Sequence, residues 1–259
     1  MKNKGIQKQS KEDALFLKRM EDLSEKSERT YSYVYSDFLN LNEQALFLDA
    51  IKEGFYAGYS FVGGHDSAER KIIRFEAKEV YDMPAEPIDC IKIQRANEKF
   101  GDKLTHRDYL GTILGLGIDR CKIGDILIDE DVAFVFVKKE ICDFICSNLE
   151  RVKHTSVKAG LVNFEEMNFK VKMQTVTGTV TSIRLDAIIA LFAKISRSSA
   201  SGYIAAGKVF VNGRLITSNS YSLKEQDIVS VRGIGRFVYS GVLGETRKER
   251  QRIQIEKYI

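Results

Sequence analysis

Eight residues in the C-terminal third of the chain are of the types that bind phosphate groups. Lys and Arg side chains neutralise phosphates, and hydroxyl and amide side chains donate hydrogen bonds to phosphate oxygens. All eight stand near the ends of predicted helices and strands. They are Arg184, Lys194, Arg197, Ser198, Lys208, Asn212, Arg214 and Arg232. Each residue alone could be an ordinary solvated surface residue, but together they indicate a surface that binds nucleic acid.

The distribution of charge supports the same chemistry. The chain of 259 residues has a net charge of +4, yet residues 183–259 hold 13 Lys and Arg against 6 Asp and Glu, a balance of +7. The remainder holds 27 basic and 30 acidic residues, a balance of −3. A basic region attached to a near-neutral body suits RNA binding, because each neutralised phosphate releases condensed counterions.

Two short helices and a hairpin are predicted to position the eight residues. Apolar residues at helical spacing predict a helix over 184–193. Ser196 is a suitable N-cap for a second helix, which ends at Gly207, the residue type that best adopts a left-handed C-terminal conformation. The dipeptide Asn212-Gly213 then predicts a tight hairpin turn, and residues 227–231 alternate as a later strand.

The order of these elements resembles the S-four RNA-binding domain, named after a ribosomal protein of the small subunit. The matching pattern is a helix, Ser196-Arg197-Ser198, a second helix, Gly207-Lys208-Val209 with Asn212-Gly213-Arg214, and Asp227-Ile228-Val229 with Arg232-Gly233. One departure is Gln226, where the family usually has Gly before Asp227. The resemblance implies recognition of RNA by shape and backbone, with a phosphate at the amides that open the second helix.

An alternation of strand and helix patterns precedes this region. Pro84 and Pro87 predict a linker, because proline disfavours helical conformation in the residue before it. After the linker we expect strands over 88–95, 126–128, 132–137 and 152–157, and helices over 105–116 and 138–149. This βαββαβ order predicts a ferredoxin-like domain, a plan used by many small RNA-binding domains. A Val- and Thr-rich strand over 173–181 follows it.

Two routes to RNA binding by this middle domain can be tested. Phe134 and Phe136 would share one face of the third strand, where RNA recognition motifs stack bases on aromatic rings. The Lys/Arg-Gly-Phe opening of that motif is missing here, so burial in the core is the favoured interpretation and base stacking the alternative. A second RNA face would comprise Arg107, Arg120 and Lys122.

The fold class predicted for the whole chain is α+β, with three small domains. A mixed α/β domain over residues 1–80 would contain a charged helix over 11–29, a helix over 42–54 and a strand over 55–61. The ferredoxin-like domain would span 81–180 and the S-four-type domain 181–259. The first 20 residues show no apolar stretch of a secretion signal, and no apolar run could span a bilayer. We therefore expect a cytoplasmic protein without a membrane partner.

No arrangement of residues predicts catalysis, a metal or a cofactor. His106-Arg107-Asp108 lacks the Asn that a kinase catalytic loop places five residues after its Asp. The stretch 115–120 ends in Arg where a dinucleotide-binding fingerprint requires Gly. Arg184-Leu185-Asp186 is similar to the catalytic triplet of pseudouridine synthases, but no domain of synthase size follows it, so Asp186 is expected to stabilise a helix start. The four cysteines form no CxxC pair and are expected to be free thiols.

Further stretches extend the resemblance across almost the entire chain. They are Gly64-His65-Asp66-Ser67-Ala68-Glu69-Arg70, the run 105–111, the run 114–118 and Gly124-Asp125-Ile126. With the C-terminal pattern, they resemble the YlmH family of bacterial S-four proteins. That family is associated with cell division by gene neighbourhood. It is also similar to small S-four proteins that bind the large ribosomal subunit when a nascent chain and tRNA are stranded there.

The sequence therefore predicts a non-enzymatic, monomeric RNA-binding protein. The resemblance implies ribosomal RNA or tRNA of the large subunit as its partner, with rescue or quality control of stalled translation as its role and no DNA partner. One alternative is an RNA-modifying enzyme with its catalytic domain in residues 1–180, which a cofactor loop or paired acids would support. Another is a cell-division scaffold, which an exposed apolar patch on the N-terminal domain would support.

Overall fold

The chain forms two compact units, Met1–Phe169 and Lys170–Ile259, here called unit 1 and unit 2. The computed structural model describes residues 2–51, 58–97, 104–164 and 173–258. Both units combine helices with antiparallel sheets, so the α+β class is confirmed. The predicted domain boundaries near residues 80 and 180 stay predictions.

Unit 1 begins with a long helix and a small sheet. The elements are α1 (Lys2–Thr30), β1 (Val34–Tyr35), α2 (Leu41–Ile51), β2 (Tyr59–Val62) and β3 (Ile72–Phe75). The three strands pair antiparallel in the order β1-β3-β2. The strand expected over 55–61 is observed from Tyr59 onward, and its predicted start, like the predicted helix end at Gly54, lies outside the described residues.

The second part of unit 1 has the predicted ferredoxin-like plan. Its elements are β4 (Ile88–Arg95), α3 (His106–Gly115), a 3₁₀ turn (Arg120–Lys122), β5 (Ile123–Asp129), β6 (Val132–Lys138), α4 (Lys139–Asn148), β7 (Arg151–Val152) and β8 (Thr155–Val162). The sheet order is β5-β6-β4-β8-β7, antiparallel throughout. The single strand expected over 152–157 is wrong, because a turn at Lys153, whose φ is +53°, divides it into β7 and β8.

The two faces of this sheet are covered by different elements. Alternate residues of β4 and β6, such as Ile91 and Val135, pack with α3 and α4. The opposite face, with Phe134 and Phe136, packs against Phe38 and Ile72 of the first part of the unit. Phe134 and Phe136 are only 5% and 1% exposed. The core interpretation of these aromatic residues is therefore confirmed, and the face cannot stack bases in this conformation.

Unit 2 is a six-stranded sheet with two helices on one face. Its elements are β9 (Met173–Val180), α5 (Leu185–Ala193), α6 (Arg197–Ala205), β10 (Val209–Val211), β11 (Arg214–Leu215), β12 (Ile228–Val231), β13 (Gly235–Glu245) and β14 (Gln251–Tyr258). The strand order is β11-β10-β12-β13-β14-β9. β14 thus pairs along its full length with β9.

The core of unit 2 lies between the sheet and the two helices. Ile188, Ile189 and Phe192 of α5 pack against Val229 and Phe237 of the sheet. Because side chains alternate along each strand, the residues between these point to the other face, which includes Phe210, Ser230 and Arg236 in neighbouring register. The helices therefore cover one face and leave polar and basic residues on the other.

Candidate nucleic-acid interface

A buried carboxylate at the start of α5 holds two of the predicted phosphate-binding residues. Asp186 is 5% exposed. Its Oδ1 accepts a hydrogen bond from Nε of Arg184 at 3.1 Å, and its Oδ2 accepts one from Nη2 of Arg197 at 2.7 Å. Burial alone would raise the pKa of Asp186, but the hydrogen bonds from Arg197 and Arg184 outweigh it and lower the pKa below its ordinary value. The carboxylate is ionised at neutral pH and fixes both guanidinium groups.

Both arginines remain open to solvent although they are anchored. The side chains of Arg184 and Arg197 are 41% and 50% exposed, whereas that of Asp186 is 7% exposed. An Arg has five N–H donors in a planar fork, so one bond to Asp186 leaves most donors for another acceptor. Because the anchored side chain loses less freedom on binding, the pair is prepared for phosphate recognition.

The start of α6 adds backbone donors beside Arg197. Ser196 is the N-cap, as predicted, and its Oγ accepts a hydrogen bond from the amide of Ser199 at 3.0 Å. Ser198 is exposed in the first turn. The first amides of a helix lack partners within the helix, and the positive end of its dipole favours an anion there. An anion docked at this end would meet amides and the Arg197 guanidinium together.

A second group of cations lies around the first strands of the sheet. The Nζ of Lys208 lies 5.5 Å from the ring centroid of Tyr203, and the Cζ of Arg232 lies 4.7 Å from that of Phe210. The amide of Arg232 also donates a hydrogen bond to the carbonyl of Lys208 at 2.9 Å. Both cations are exposed, and the rings limit their motion through cation–π contact. The sequence did not indicate that Tyr203 of α6 and Phe210 of β10 would lie beside these cations.

The predicted hairpin turn is present, but its Asn has a structural role. Asn212 and Gly213 have φ values of +48° and +75°, as a tight turn requires. The Asn212 Nδ2 donates to Asp227 Oδ1 at 2.7 Å, and its Oδ1 accepts from the amide of Ile228 at 2.9 Å. Since its oxygen and one of its two amide hydrogens bond within the protein, Asn212 orients the turn and keeps one amide hydrogen for another acceptor.

The two remaining candidates of unit 2 lie at the ends of elements. Arg214 is half-buried on β11, directly opposite Val211. Lys194 is exposed and ends α5 in the left-handed conformation, with a φ of +53°. The structure thus brings Arg184 and Arg197 into one group and Lys208 and Arg232 into another.

The second RNA face predicted in unit 1 is not assembled. Arg120 directs its Nη1 to the carbonyls of Ile123 and Gly124, and burial followed by the neighbouring charge of Arg70 lowers its pKa to about 10. Lys122 is ion-paired with Asp37 at 2.9 Å and with Glu140 at 2.7 Å. Only Arg107, exposed in the first turn of α3, remains open. The sequence showed the cations but not their internal partners.

Residues 64–70 connect the two parts of unit 1. Asp125 of β5 accepts hydrogen bonds from the amides of Glu69 and Arg70 at 2.7 and 3.1 Å, and its Oδ2 lies 3.2 Å from Nε2 of His65. Burial would raise the pKa of Asp125, but His65 and the two amides outweigh this and lower it. The imidazole packs on Phe136, with ring centroids 4.7 Å apart. This run therefore has a structural role here.

The described residues also bear on three other properties: metal binding, membrane spanning and thiol reactivity. Across residues 2–51, 58–97, 104–164 and 173–258, no group of three His, Cys, Asp or Glu could hold a metal ion. None of the helices in those ranges is both long and apolar enough to cross a membrane. The four cysteines are free, and burial raises the pKa of Cys90 and of Cys142 to about 12. These two thiols are therefore poor nucleophiles at neutral pH.

Sequence models of two known domain families match the chain. The model described as "Putative RNA-binding domain in YlmH" matches residues 87–166, and that of the S4 domain matches residues 183–229. The second match contains α5, α6, the hairpin and both groups of basic residues. Fold and site together define an S4-domain RNA-binding protein.

Comparison with individual proteins gives the family. The ribosome-associated protein quality control protein P2 of Bacillus subtilis (strain 168) is 32% identical to this chain over 232 residues, which is 88% of each chain. This chain belongs to the family of that protein. The solved structure of cell division protein ylmH from Streptococcus pneumoniae matches 60% of this chain and 93% of its own, with 24% identity and a TM-score of 0.49.

Proposed function

We propose that this protein binds structured ribosomal RNA and tRNA on the large ribosomal subunit, and acts there in the rescue or quality control of stalled translation. The observation that carries the proposal is the Asp186 carboxylate, which fixes the guanidinium groups of Arg184 and Arg197 beside the open amides of α6. The relative from Bacillus subtilis, by its name a ribosome-associated quality control protein, supports the ribosome as the partner.

Recognition would rest on the RNA backbone. The anchored arginines and the start of α6 are donors placed for phosphate oxygens, whereas Lys208 and Arg232 supply positive charge on the neighbouring strands. Phosphate contacts position a protein on RNA without reading sequence. The protein would therefore select RNA by shape, as is usual for folded RNA.

The same geometry argues against catalysis by Asp186. A catalytic carboxylate must reach its substrate, but Asp186 is almost fully buried, and both of its oxygens accept bonds from arginines. In unit 2 this carboxylate orients cations. The proposed function is accordingly binding without chemical modification of the RNA.

The test is co-sedimentation of the protein with purified large and small ribosomal subunits at physiological salt. Wild type should sediment with large subunits. Arg184→Ala, Arg197→Ala and Arg214→Ala should each weaken binding by about 1–2 kcal/mol, because each removes charge-assisted hydrogen bonds.

The matched control is Lys26→Ala with Arg29→Ala, two exposed cations near the end of α1. It should leave sedimentation unchanged. If the double variant Arg184→Ala/Arg197→Ala unfolds at the wild-type temperature and still sediments with large subunits, the RNA surface lies elsewhere.

A further inference from the structure

The hairpin of β13 and β14 ends in a cluster of cations outside the residues that match the S4 domain. The match covers 183–229, and the hairpin tip lies at residues 245–252. The tip holds four basic and two acidic residues. Its exposed cations are Arg247, Lys248, Arg250 and Arg252. Neither group of basic residues described above includes them.

The tip is a fixed turn. The amide of Thr246 donates to the carbonyl of Arg250 at 2.8 Å, and the amide of Glu249 donates to the carbonyl of Thr246 at 2.9 Å. The Oγ1 of Thr246 accepts from the amide of Arg250 at 3.1 Å. Arg250 also donates from Nη2 to the carbonyl of Thr179 at 3.1 Å, which ties the turn to β9. The cations are thus presented on a fixed backbone.

The two strands that lead to the tip differ in how they are held. Register shifts in β13 lie between Tyr239 and Gly241 and between Val242 and Gly244, and such bulges bend and twist a strand. A side chain at Gly241 would collide with Glu225, whereas one at Gly244 would meet no described atom within 4 Å, and Val242 is 41% exposed. β13 is therefore exposed beyond Gly241, whereas β14 stays paired with β9 up to Gln251, opposite the buried Val180.

The tip is electrostatically independent of the cations at the hairpin base. Gly235, at the base, pairs with Val231, the residue before Arg232. From there to Glu245 the strand covers roughly 30 Å, at about 3.3 Å per residue. The Debye length at physiological ionic strength is about 8 Å. Charges at the tip therefore act on whatever lies beside the tip and not on an anion at the base.

We infer that the tip of the β13–β14 hairpin is a second phosphate-binding surface, which contacts a different RNA segment from the one bound at Lys208 and Arg232. This inference rests on the proposed function and adds a second point of contact to it. RNA fits better than a lipid surface. A loop that binds a lipid surface inserts apolar residues into the membrane boundary. The turn itself holds only polar and charged residues, and the exposed Val242 and Leu243 lie behind it on β13.

The test compares two charge-matched triple variants of the full chain. Arg247→Gln, Lys248→Gln and Arg252→Gln remove three tip cations and leave Arg250, whose side chain supports the turn. Lys11→Gln, Lys18→Gln and Arg29→Gln remove three exposed cations of α1 as the control. Both sets are measured by hydroxyl-radical footprinting on purified large ribosomal subunits and by the dependence of binding on salt.

The tip variant should lose one stretch of protected RNA and keep the stretch that Lys208→Ala/Arg232→Ala loses. Its affinity should fall about tenfold or more, and the log–log salt slope should decrease by about 2, since each phosphate contact contributes roughly 0.7–0.9. The control should match wild type.

Three results would overturn the inference, and they differ from one another. If the tip variant has the wild-type footprint and slope while Arg184→Ala/Arg197→Ala loses binding, the inference fails and the proposed function stands. If wild type protects no RNA on either subunit, the proposed function fails as well. If the tip variant instead loses binding to vesicles containing phosphatidylserine and keeps its RNA footprint, the tip is a lipid contact.

Discussion

Two aspartates with lowered pKa, the half-buried Asp125 of unit 1 and the buried Asp186 of unit 2, have different partners. Asp125 in unit 1 accepts from backbone amides and faces an imidazole, whereas Asp186 in unit 2 accepts from two half-exposed guanidinium groups. In unit 1, Arg120 turns inward to carbonyls. The partners of an arginine therefore decide whether its guanidinium group is held inside the protein, as in Arg120, or stays open to solvent, as in Arg184 and Arg197.

The largest expected effect is on the stability of unit 1. Asp125→Ala leaves the amides of Glu69 and Arg70 without their acceptor in a half-buried site, so the free energy of unfolding should fall by about 3 kcal/mol. Hydrogen exchange should show faster exchange across β5 and unchanged exchange in α5. The control Asp119→Ala removes an exposed carboxylate just before β5 and should have little effect. Equal loss of protection in both units would contradict the structural role assigned to Asp125.

The next effect is on RNA affinity, and it distinguishes the net charge of unit 2 from the positions of its arginines. Asp186→Asn makes unit 2 more positive by one charge, so a simple count of charge predicts tighter RNA binding. Loss of the anchor for Arg184 and Arg197 predicts the opposite, and we expect affinity to fall by about 1–2 kcal/mol. Glu225→Gln is the control, because this exposed residue changes the charge equally without touching the arginines. Tighter binding by both variants would show that the anchor is irrelevant.

A smaller effect concerns the stability of unit 2 at low pH. Since the folded pKa of Asp186 lies below its ordinary value of 3.8, its ionised form stabilises the fold above that pH, and the contribution is lost as pH falls through the folded pKa. The half-exposed arginines limit this contribution to at most about 1 kcal/mol. Hydrogen exchange of α5 at pH 7, 5, 4 and 3 should show the difference between wild type and Asp186→Asn constant above about pH 5 and smaller below 4. A difference that grows on acidification would contradict this sign.

The smallest effect tests the backbone of unit 2 at Gln226, which belongs to neither group of basic residues. Gln226 has a φ of +69°, a left-handed conformation that Gly adopts without strain. Gln226→Gly should therefore raise stability by about 0.5–1 kcal/mol and leave RNA affinity unchanged. Glu225→Gly, at the neighbouring position outside the left-handed region, should lower stability by a similar amount. A destabilised Gln226→Gly would mean that the Gln side chain makes an important contact.

Local features of unit 2 could be predicted from the sequence because each depends on a few adjacent residues. The N-cap Ser196, the turn at Asn212-Gly213 and the left-handed Gly207, with a φ of +67°, are all observed. The strands and helices of unit 1 follow from the same local patterning. Gln226, where the resemblance to the S-four domain predicted Gly, has a φ of +69°, so a left-handed turn forms here with Gln.

Side-chain partners could not be predicted, because they depend on residues far apart in the chain. Lys122 forms an ion pair with Asp37, and Asn212 donates a hydrogen bond to Asp227. The residues next to Lys122 and Asn212 in the sequence do not indicate these partners. The anchor itself joins Asp186 to Arg197 across two helices. Of the predicted sites, the arginines of unit 2 stay candidates for RNA binding, while Arg120, Lys122 and Asn212 are held within the protein.

The pairing of β9 with β14 also sets an order of events during synthesis. Met173 pairs with Tyr258 and Val180 with Gln251, so the first strand of unit 2 is made long before its partner exists. Closing such a long loop is slow compared with forming the helix pair or the short hairpin. The basic helices can form early, but the sheet beneath them is complete only after β14 leaves the ribosome.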